Sequence, residues 1–381
     1  MDYVAVDLGA SSTRYTTVGN KINFIPNNVF FVENMGEQLD NSRNGDQHEN
    51  NLDVSIWKEN DSEKKFFPMR ALVGSMASRF GAYNVRPEQQ RNKYEQRINY
   101  LSTVLAIALS KLKNPELSDK INLFSALPPS EVEHHKDEFK HNLVGSYVVK
   151  FNKIGPTDGT TIQFTINDVF CFEESRMATV QFLMDEAHPN RLDEYGSSML
   201  MSIDIGASTT DLAIFENGSY IERTGRTYRI GGNTVRDLII KAINAEYGQE
   251  LSLSEADRCL AEGRMKYGNK YNDIGPIVES SKGRVAQQII SKLDNYFSGI
   301  EMSLMSINYI IVSGGGSMES SYFDESGKKI VTSQPMSEYI TKALKGICDG
   351  VEVVFFGDEP RTANIRGLGM YAAVCDGEAI E

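Results

Sequence analysis

The sequence predicts an α/β fold of two lobes, each with a mixed sheet, covering helices and a small inserted subdomain. A strand, a tight turn and a second strand are encoded at residues 4–18 and again at 201–215. The acids before the two turns, Asp7 and Asp204, are 204 − 7 = 197 positions apart, about half of the 381 residues. A repeat at that distance indicates two related halves, not a solenoid.

Both turns consist of small residues, in VAVDLGASSTRYTTV and MSIDIGASTTDLAIF. Backbone N–H groups at such a tip can surround phosphate oxygens, and a preceding acid suits Mg²⁺, which prefers oxygen ligands and keeps several waters. The predicted phosphate-binding residues are Gly9, Ala10, Ser11, Ser12 and Arg14 in the first copy, and Gly206, Ala207, Ser208, Thr209 and Thr210 in the second. The predicted metal-binding residues are Asp7, Asp204 and Asp211, and Asp204 is also assigned a catalytic role.

The two copies differ at one charged position, where Arg14 corresponds to Asp211. A cation on one hairpin can contact phosphate, and a carboxylate on the other can contact metal or water. Two such hairpins facing each other across a cleft would hold one nucleoside triphosphate and its metal ion.

Two further glycine turns follow in the second half. NYIIVSGGGS at 308–317 runs from an apolar strand into a loop beyond its carboxyl end, where glycine lets the backbone lie against a nucleoside or an α-phosphate. The turn at 230–234 starts a helix that Asn233 can cap. The residues assigned to nucleotide binding here are Gly231, Gly232, Asn233, Gly314, Gly315, Gly316 and Ser317.

The ordered set of two D-x-G hairpins and a third glycine loop resembles the actin, Hsp70 and sugar-kinase superfamily, and over the whole chain the ParM-type plasmid segregation actins. The resemblance implies two lobes around a nucleotide cleft, Mg²⁺ with ATP or GTP, and ATP hydrolysis coupled to growth of a helical filament. A net charge of −13 disfavours direct contact with DNA, so we expect a DNA-binding adaptor protein as the partner on a centromere-like site.

The resemblance also implies roles for three residues outside the glycine turns. In VFCFEESRMATVQFLM, Glu174 would orient the attacking water, with Glu173 as the second candidate; both acids could instead serve the dipole of the helix that starts there. In AEGRMK, Glu262 and Lys266 would lie on one face of a helix over 252–267 and reach the adenine and ribose.

The lobes are expected at 1–188, with an insertion at about 25–88, and at 189–360, with an insertion at about 235–300; a helix in 361–381 returns to the first lobe. The apolar spacing predicts a helix from Gln89 to Lys113. Residues 33–53 are predicted to be a polar loop, either a filament contact or a tolerated surface loop, and 268–281 a second loop where neighbouring subunits meet.

Composition favours a cytoplasmic protein. The four cysteines contain no CxxC pair, no apolar run reaches membrane-span length, and a strand follows the first residues directly, so we expect no signal peptide. Two alternatives stay open: a sugar-type kinase, which needs an acceptor pocket with a catalytic aspartate, and an Hsp70-like nucleotide-binding module, which needs a substrate domain.

Overall fold

The computed structural model describes residues 2–17, 21–33, 51–61, 63–80, 91–152, 159–185, 187–324, 326–348, 350–356 and 360–377. The chain divides into unit 1, made of Met1–Met177 with Asn364–Glu381, and unit 2, Ala178–Ala363. Each unit combines a mixed sheet with helices, so the predicted fold class is confirmed. The predicted limits of the inserted subdomains stay predictions, and most of the predicted loop at 33–53 lies outside the described residues.

Unit 1 is built on one sheet. Its strands are β1 (Tyr3–Leu8), β2 (Ser12–Thr17), β3 (Asn23–Pro26), β4 (Val29–Val32), β5 (Asn51–Lys58), β6 (Met69–Gly74), β7 (Lys120–Leu127), β8 (Gly145–Phe151) and β9 (Thr161–Glu173). They are ordered β3-β2-β1-β7-β9-β8-β5-β6-β4. Strands β1, β7 and β9 are parallel, so their carboxyl ends lie at one edge. Every residue of β1 is buried, as expected for a strand covered on both faces.

The described helices are α1 (Ser75–Arg79), α2 (Arg97–Lys113), α3 (Pro129–Leu143), α4 (Glu174–Leu183), α5 (Arg191–Tyr195), α6 (Gly232–Tyr247), α7 (Leu253–Glu262), α8 (Gly275–Ile290), α9 (Leu293–Gly299), α10 (Met336–Leu344) and α11 (Ala363–Gly377). The chain passes between the units within α4, after Met177, and at the start of α11, after Ala363. None of the helices that the structure describes has both the length and the apolar composition that a membrane crossing requires.

Helix α2 begins later than the predicted start at Gln89. Within the described residues, Lys93–Glu95 forms a separate 3₁₀ turn. The backbone N–H groups of Lys93 and Tyr94 donate to the two carboxylate oxygens of Glu131 on α3, at 2.9 and 3.0 Å. These tertiary hydrogen bonds satisfy N–H groups at the start of the turn, and the residue after the turn is extended, which separates it from α2.

A buried ion pair joins two adjacent strands of unit 1. Arg70 on β6 donates from Nε and Nη2 to the two carboxylate oxygens of Asp53 on β5, at 2.9 and 2.7 Å. Asn152 Nδ2 donates to the same carboxylate at 2.9 Å. The Asp53 side chain is 0% exposed and that of Arg70 7% exposed, so removal of either charge leaves the other buried and poorly compensated.

We therefore expect Asp53→Ala to lower the free energy of unfolding by roughly 3–5 kcal/mol. Urea unfolding followed by circular dichroism measures this. The control is Glu138→Ala, which removes a carboxylate paired with Lys65 where both side chains are exposed (42% and 44%); it should cost less than about 1 kcal/mol. Equal losses in the two variants would show that burial of the Asp53 pair does not determine its contribution.

Unit 2 repeats the central part of this topology. Its strands are β10 (Met199–Ile205), β11 (Thr210–Glu216), β12 (Ser219–Tyr220), β13 (Arg226–Tyr228), β14 (Arg264–Tyr267), β15 (Lys270–Asp273), β16 (Tyr309–Ser313), β17 (Ser320–Phe323), β18 (Lys329–Ser333) and β19 (Glu352–Phe355). The main sheet is ordered β12-β11-β10-β16-β19. The series β11-β10-β16-β19 has the pairing directions of β2-β1-β7-β9: antiparallel, parallel, parallel. The two halves therefore share the topology that the repeat predicted.

Two predicted elements of unit 2 are wrong. The helix expected to reach Tyr267 ends at Glu262, because Gly263 adopts a left-handed conformation with φ 62° and ends it with an N–H bond to Cys259 O. The loop expected at 268–281 is the second half of a β14–β15 hairpin followed by helix α8.

Candidate functional site

The first hairpin, in unit 1, pairs an acid with a base. Asp7 and Arg14 are register partners on β1 and β2, and Arg14 Nη1 donates to Asp7 Oδ2 at 2.8 Å. Both side chains are largely buried. Arg14, which we expected to contact phosphate, thus contacts the acid of its own hairpin. At the tip, a Cβ on Gly9 would lie 2.7 Å from Ser12 O, so the turn requires glycine.

Asn27, directly after the end of β3, holds this tip, and the sequence did not suggest it. Its Nδ2 donates to Gly9 O, its backbone N–H donates to Ser11 O at 3.2 Å, and its Oδ1 accepts from Thr13 Oγ1 at 3.2 Å. The only local signal is the turn-forming sequence PNN after the strand, which says nothing about a distant hairpin. The phosphate-binding residues predicted for the first copy are brought together in this tip and the start of β2.

The second hairpin, in unit 2, has two acids where the first has an ion pair. Asp204 and Asp211 are register partners on β10 and β11, and both are buried. Asp211 accepts hydrogen bonds from the hydroxyls of Thr227 at 2.6 Å and Thr209 at 3.4 Å. Two buried like charges repel, and a divalent cation or its water ligands can relieve that repulsion.

The turn before α6 packs directly on the second hairpin. Gly232 N–H donates to Gly206 O at 3.0 Å and Asn233 N–H donates to Ala207 O at 2.7 Å. A Cβ on Gly231 would lie 2.8 Å from both of those carbonyl oxygens, so glycine is needed for this approach.

We had predicted that Asn233 caps α6, and this prediction is wrong. Its Nδ2 donates to Ser208 Oγ at 3.0 Å, whereas the N-cap residue is Gly231. The hairpin supplies acceptors for Asn233, so the tertiary contact replaces the local capping bond.

The glycine loop after β16 packs on the same hairpin. A Cβ on Gly314, whose φ is 86°, would lie 2.2 Å from Asp204 Oδ1, and one on Gly316 would lie 2.4 Å from Gly206 O. The Ser317 hydroxyl donates to Gly314 O at 2.6 Å and closes the loop. The structure shows that Gly314 and Gly316 leave room for the hairpin; that the three glycines also leave room for a ligand stays a prediction.

This packing predicts an unequal cost for two glycine substitutions. Gly316→Ala should lower the free energy of unfolding by about 1–3 kcal/mol, because its Cβ meets a backbone oxygen that cannot move freely. The control Gly283→Ala lies on helix α8, where a Cβ meets nothing within 4 Å, and should be neutral or stabilising by up to about 1 kcal/mol. Thermal and urea unfolding measure both, and a Gly316→Ala protein as stable as the control would contradict the packing.

A buried lysine ties this loop region to the rest of unit 2. Lys282 on α8 donates from Nζ to Met318 O at 3.2 Å and to Gln334 O at 2.9 Å. Burial lowers the pKa of Lys282 from 10.5 to about 8, and Glu279 and Glu319 oppose that shift. The sequence alone suggests no role for Lys282.

The lowered pKa predicts a pH dependence of stability. Below pH 8 the folded and unfolded chains both hold the Lys282 proton. Between about pH 8 and 10.5 only the unfolded chain holds it, so the free energy of unfolding rises with pH. From pH 7.5 to 9.5 the wild type should gain roughly 1–2 kcal/mol relative to Lys282→Met in urea unfolding. Lys342→Met, which removes an exposed lysine, is the control. If the wild type gained as much stability relative to Lys342→Met as relative to Lys282→Met, the assignment to Lys282 would be contradicted.

Glu262 and Lys266 do not share a helix face. Glu262 is the last residue of α7 and accepts from Arg264 Nε at 3.0 Å, whereas Lys266 is exposed on β14 opposite Tyr271. The left-handed Gly263 between them changes the chain direction. Their predicted common contact with adenine and ribose therefore loses its geometric basis.

Glu174 lies near the edge of unit 1 that carries the first hairpin. Asp7 on β1 is in register with Ala126 on β7, and Ala126 with Phe172 on β9, two residues before Glu174. Two strand spacings amount to about 10 Å. Glu174 is buried as the first residue of α4, and Lys93 Nζ forms an ion pair with its Oε1.

Glu173, the second candidate, lies within 3.8 Å of Arg176 on α4. The sequence did not suggest Lys93, because its role depends on a turn that we had predicted as helix.

No group of three or more His, Cys, Asp or Glu side chains arranged for a metal ion occurs among the described residues. Within the part of the chain that the structure describes, Asp204 and Asp211 are therefore a pair of acids and not part of a larger cluster of metal ligands.

Comparison with known proteins shows which fold carries this site. A family model described as "Archaeal actin homologue MreB-like, C-terminal" matches residues 202–321, which contain the second hairpin and the glycine loop. A ParM filament from Clostridium botulinum is similar in structure over 98% of this chain and 100% of that one, at 19% identity and a TM-score of 0.65. The chain has an actin-like fold. The predicted resemblance to ParM-type bacterial actins is thereby confirmed as a shared fold.

Two further structures support the same fold. The actin-like protein Alp7A is 15% identical, with 98% and 96% of the two chains covered and a TM-score of 0.66. Bacillus thuringiensis ParM with AMPPNP is 15% identical, with 99% of both chains covered and a TM-score of 0.60. A search of curated proteins finds no sequence match. The structural similarity establishes the actin-like fold. Because the sequence identities are this low, activity has to be argued from the residues.

Proposed function

We propose that this chain is a cytoplasmic, Mg-ATP-dependent actin homologue that forms filaments, hydrolyses ATP and segregates plasmid DNA through an adaptor protein. One observation carries the proposal. Asp7 and Asp204 precede glycine turns at equivalent positions of the four-strand series that the two sheets share. Each unit thus has a turn of the kind that suits phosphate oxygens and a metal ion, as in ATP or GTP.

The acids of unit 2 fit a hydrated Mg²⁺. Asp204 and Asp211 are buried opposite each other, and an ion that keeps several waters can be held by two carboxylates through those waters. Asp7 would act in the first hairpin with its charge partly balanced by Arg14. When bound, Mg²⁺ would supply positive charge that stabilises the phosphate oxygens during transfer.

The remaining proposed roles need only positioning, because phosphoryl transfer requires an oriented water and donors toward the phosphates, not a covalent nucleophile. The hydroxyls of Ser11, Ser12 and Thr209, with the backbone N–H groups of the two turns, would bind phosphate oxygens. The Thr210 hydroxyl instead donates to Ile230 O at 2.7 Å, and Thr210 is buried. Glu174 would orient the attacking water.

Polymerisation is proposed from the fold and from what similar proteins do. The Clostridium botulinum ParM forms a 15-stranded filament, and the Bacillus thuringiensis ParM was solved with AMPPNP. Head-to-tail contacts that do not close build helical filaments. With a net charge of −13, subunits repel, so assembly should require salt or Mg²⁺, and DNA should be reached through a basic adaptor.

Addition of Mg-ATP should raise light scattering above a critical concentration, and the signal should fall as phosphate is released. Asp204→Ala should lower turnover by ~10²-fold and abolish the scattering increase, because an acid that orients metal-bound water is lost. The control Asp294→Ala removes an exposed acid on α9 and should hydrolyse ATP as the wild type does. A protein that sediments as a monomer with Mg-ATP and with AMPPNP would contradict the proposed function.

A further inference from the structure

Lys93 forms an ion pair with Glu174, but the proposed function gives Lys93 no role. Lys93 Nζ contacts Glu174 Oε1, and the two side chains are 18% and 6% exposed. We propose that Lys93 is a positioning residue, which holds the Glu174 carboxylate in the orientation needed for the attacking water. This inference rests on the proposed ATPase function and identifies a further residue on which the rate of hydrolysis depends.

Lys93 is itself held by several elements of unit 1. Its backbone N–H and that of Tyr94 donate to Glu131. Its carbonyl oxygen accepts from Asn99 Nδ2 at 2.8 Å, and the Tyr94 carbonyl accepts from the Tyr100 hydroxyl at 2.6 Å. Bonds from α2 and α3 therefore immobilise the backbone that carries the lysine. A site supported in this way loses little freedom when the catalytic geometry forms.

The Tyr94 side chain adds a further support from α3. Its ring stacks on that of His135, with centroids 3.9 Å apart and planes 9° from parallel. The turn that carries Lys93 thus meets α3 through both backbone and side chain. The backbone of a lysine whose side chain only extends into solvent does not need to be fixed by this many contacts.

The chemistry of the pair explains what Lys93 contributes. A glutamate has three rotatable bonds, and an ammonium group on Oε1 restricts the positions that its carboxylate can take. A carboxylate held in this way can accept a hydrogen bond from water at a defined position, which is what orientation of a nucleophile requires. A helix dipole at α4 would favour an acid there but would not fix its orientation.

The test uses the full chain with five variants: Lys93→Met, Lys93→Arg, Glu174→Gln, the double variant Lys93→Met/Glu174→Gln, and the control Lys65→Met. The control removes the lysine of an exposed ion pair of unit 1, Lys65–Glu138, in which both side chains are more than 40% exposed (44% and 42%). We expect Lys93→Met to lower kcat about 10-fold, with the KM for ATP changed less than about twofold. Lys93→Arg should restore most of the rate, and Lys65→Met should leave it unchanged.

The double variant separates positioning from support of the fold. If Lys93 acts through Glu174, Lys93→Met should not slow a Glu174→Gln enzyme further. The double variant removes both charges of the pair, so it should fold even if Lys93→Met does not, and circular dichroism checks this. A wild-type kcat in folded Lys93→Met, or multiplicative losses in the double variant, would overturn the inference and leave the proposed function intact. A wild type without ATPase activity would contradict the proposed function, and this inference with it.

Discussion

Close packing of backbone on backbone at the carboxyl end of β10 is the constraint on which the candidate site of unit 2 depends. The turn before α6 and the loop after β16 both meet the hairpin that contains Asp204 and Gly206. A methyl group at Gly231, Gly314 or Gly316 would lie within 3 Å of a hairpin oxygen. Interiors packed this closely do not yield to an added carbon without cost. The three segments can therefore form one surface only because side chains are absent where they meet.

Charge distinguishes two hairpins that topology makes equivalent. In unit 1 the acid before the turn is neutralised within its own hairpin, because Arg14 donates to Asp7. In unit 2 the corresponding position holds Asp211, and the threonine hydroxyls around it donate hydrogen bonds but carry no charge. Within the proposed function, the two hairpins therefore offer different groups to a metal ion: an ion-paired acid in unit 1 and two facing acids in unit 2.

Asparagines support both hairpins from outside. Asn27 reaches the first tip from the end of β3, and Asn233 reaches the second from the first turn of α6. An amide can donate and accept at once, so one side chain can satisfy several backbone groups at a turn. Neither role follows from chain position, since the asparagine and the hairpin are far apart in sequence.

The chain alone established the repeated hairpins, the helix after Gly231 and the α/β class, because these depend on local periodicity and on turn residues near in sequence. Tertiary structure decided where α2 starts and what the glycines at 314–316 contact, because distant groups compete for the same backbone atoms. It also decided that Lys93 meets Glu174, since a turn held by Glu131 brings together residues 81 positions apart. Local propensity carries no information about such partners, whereas the packed fold selects them.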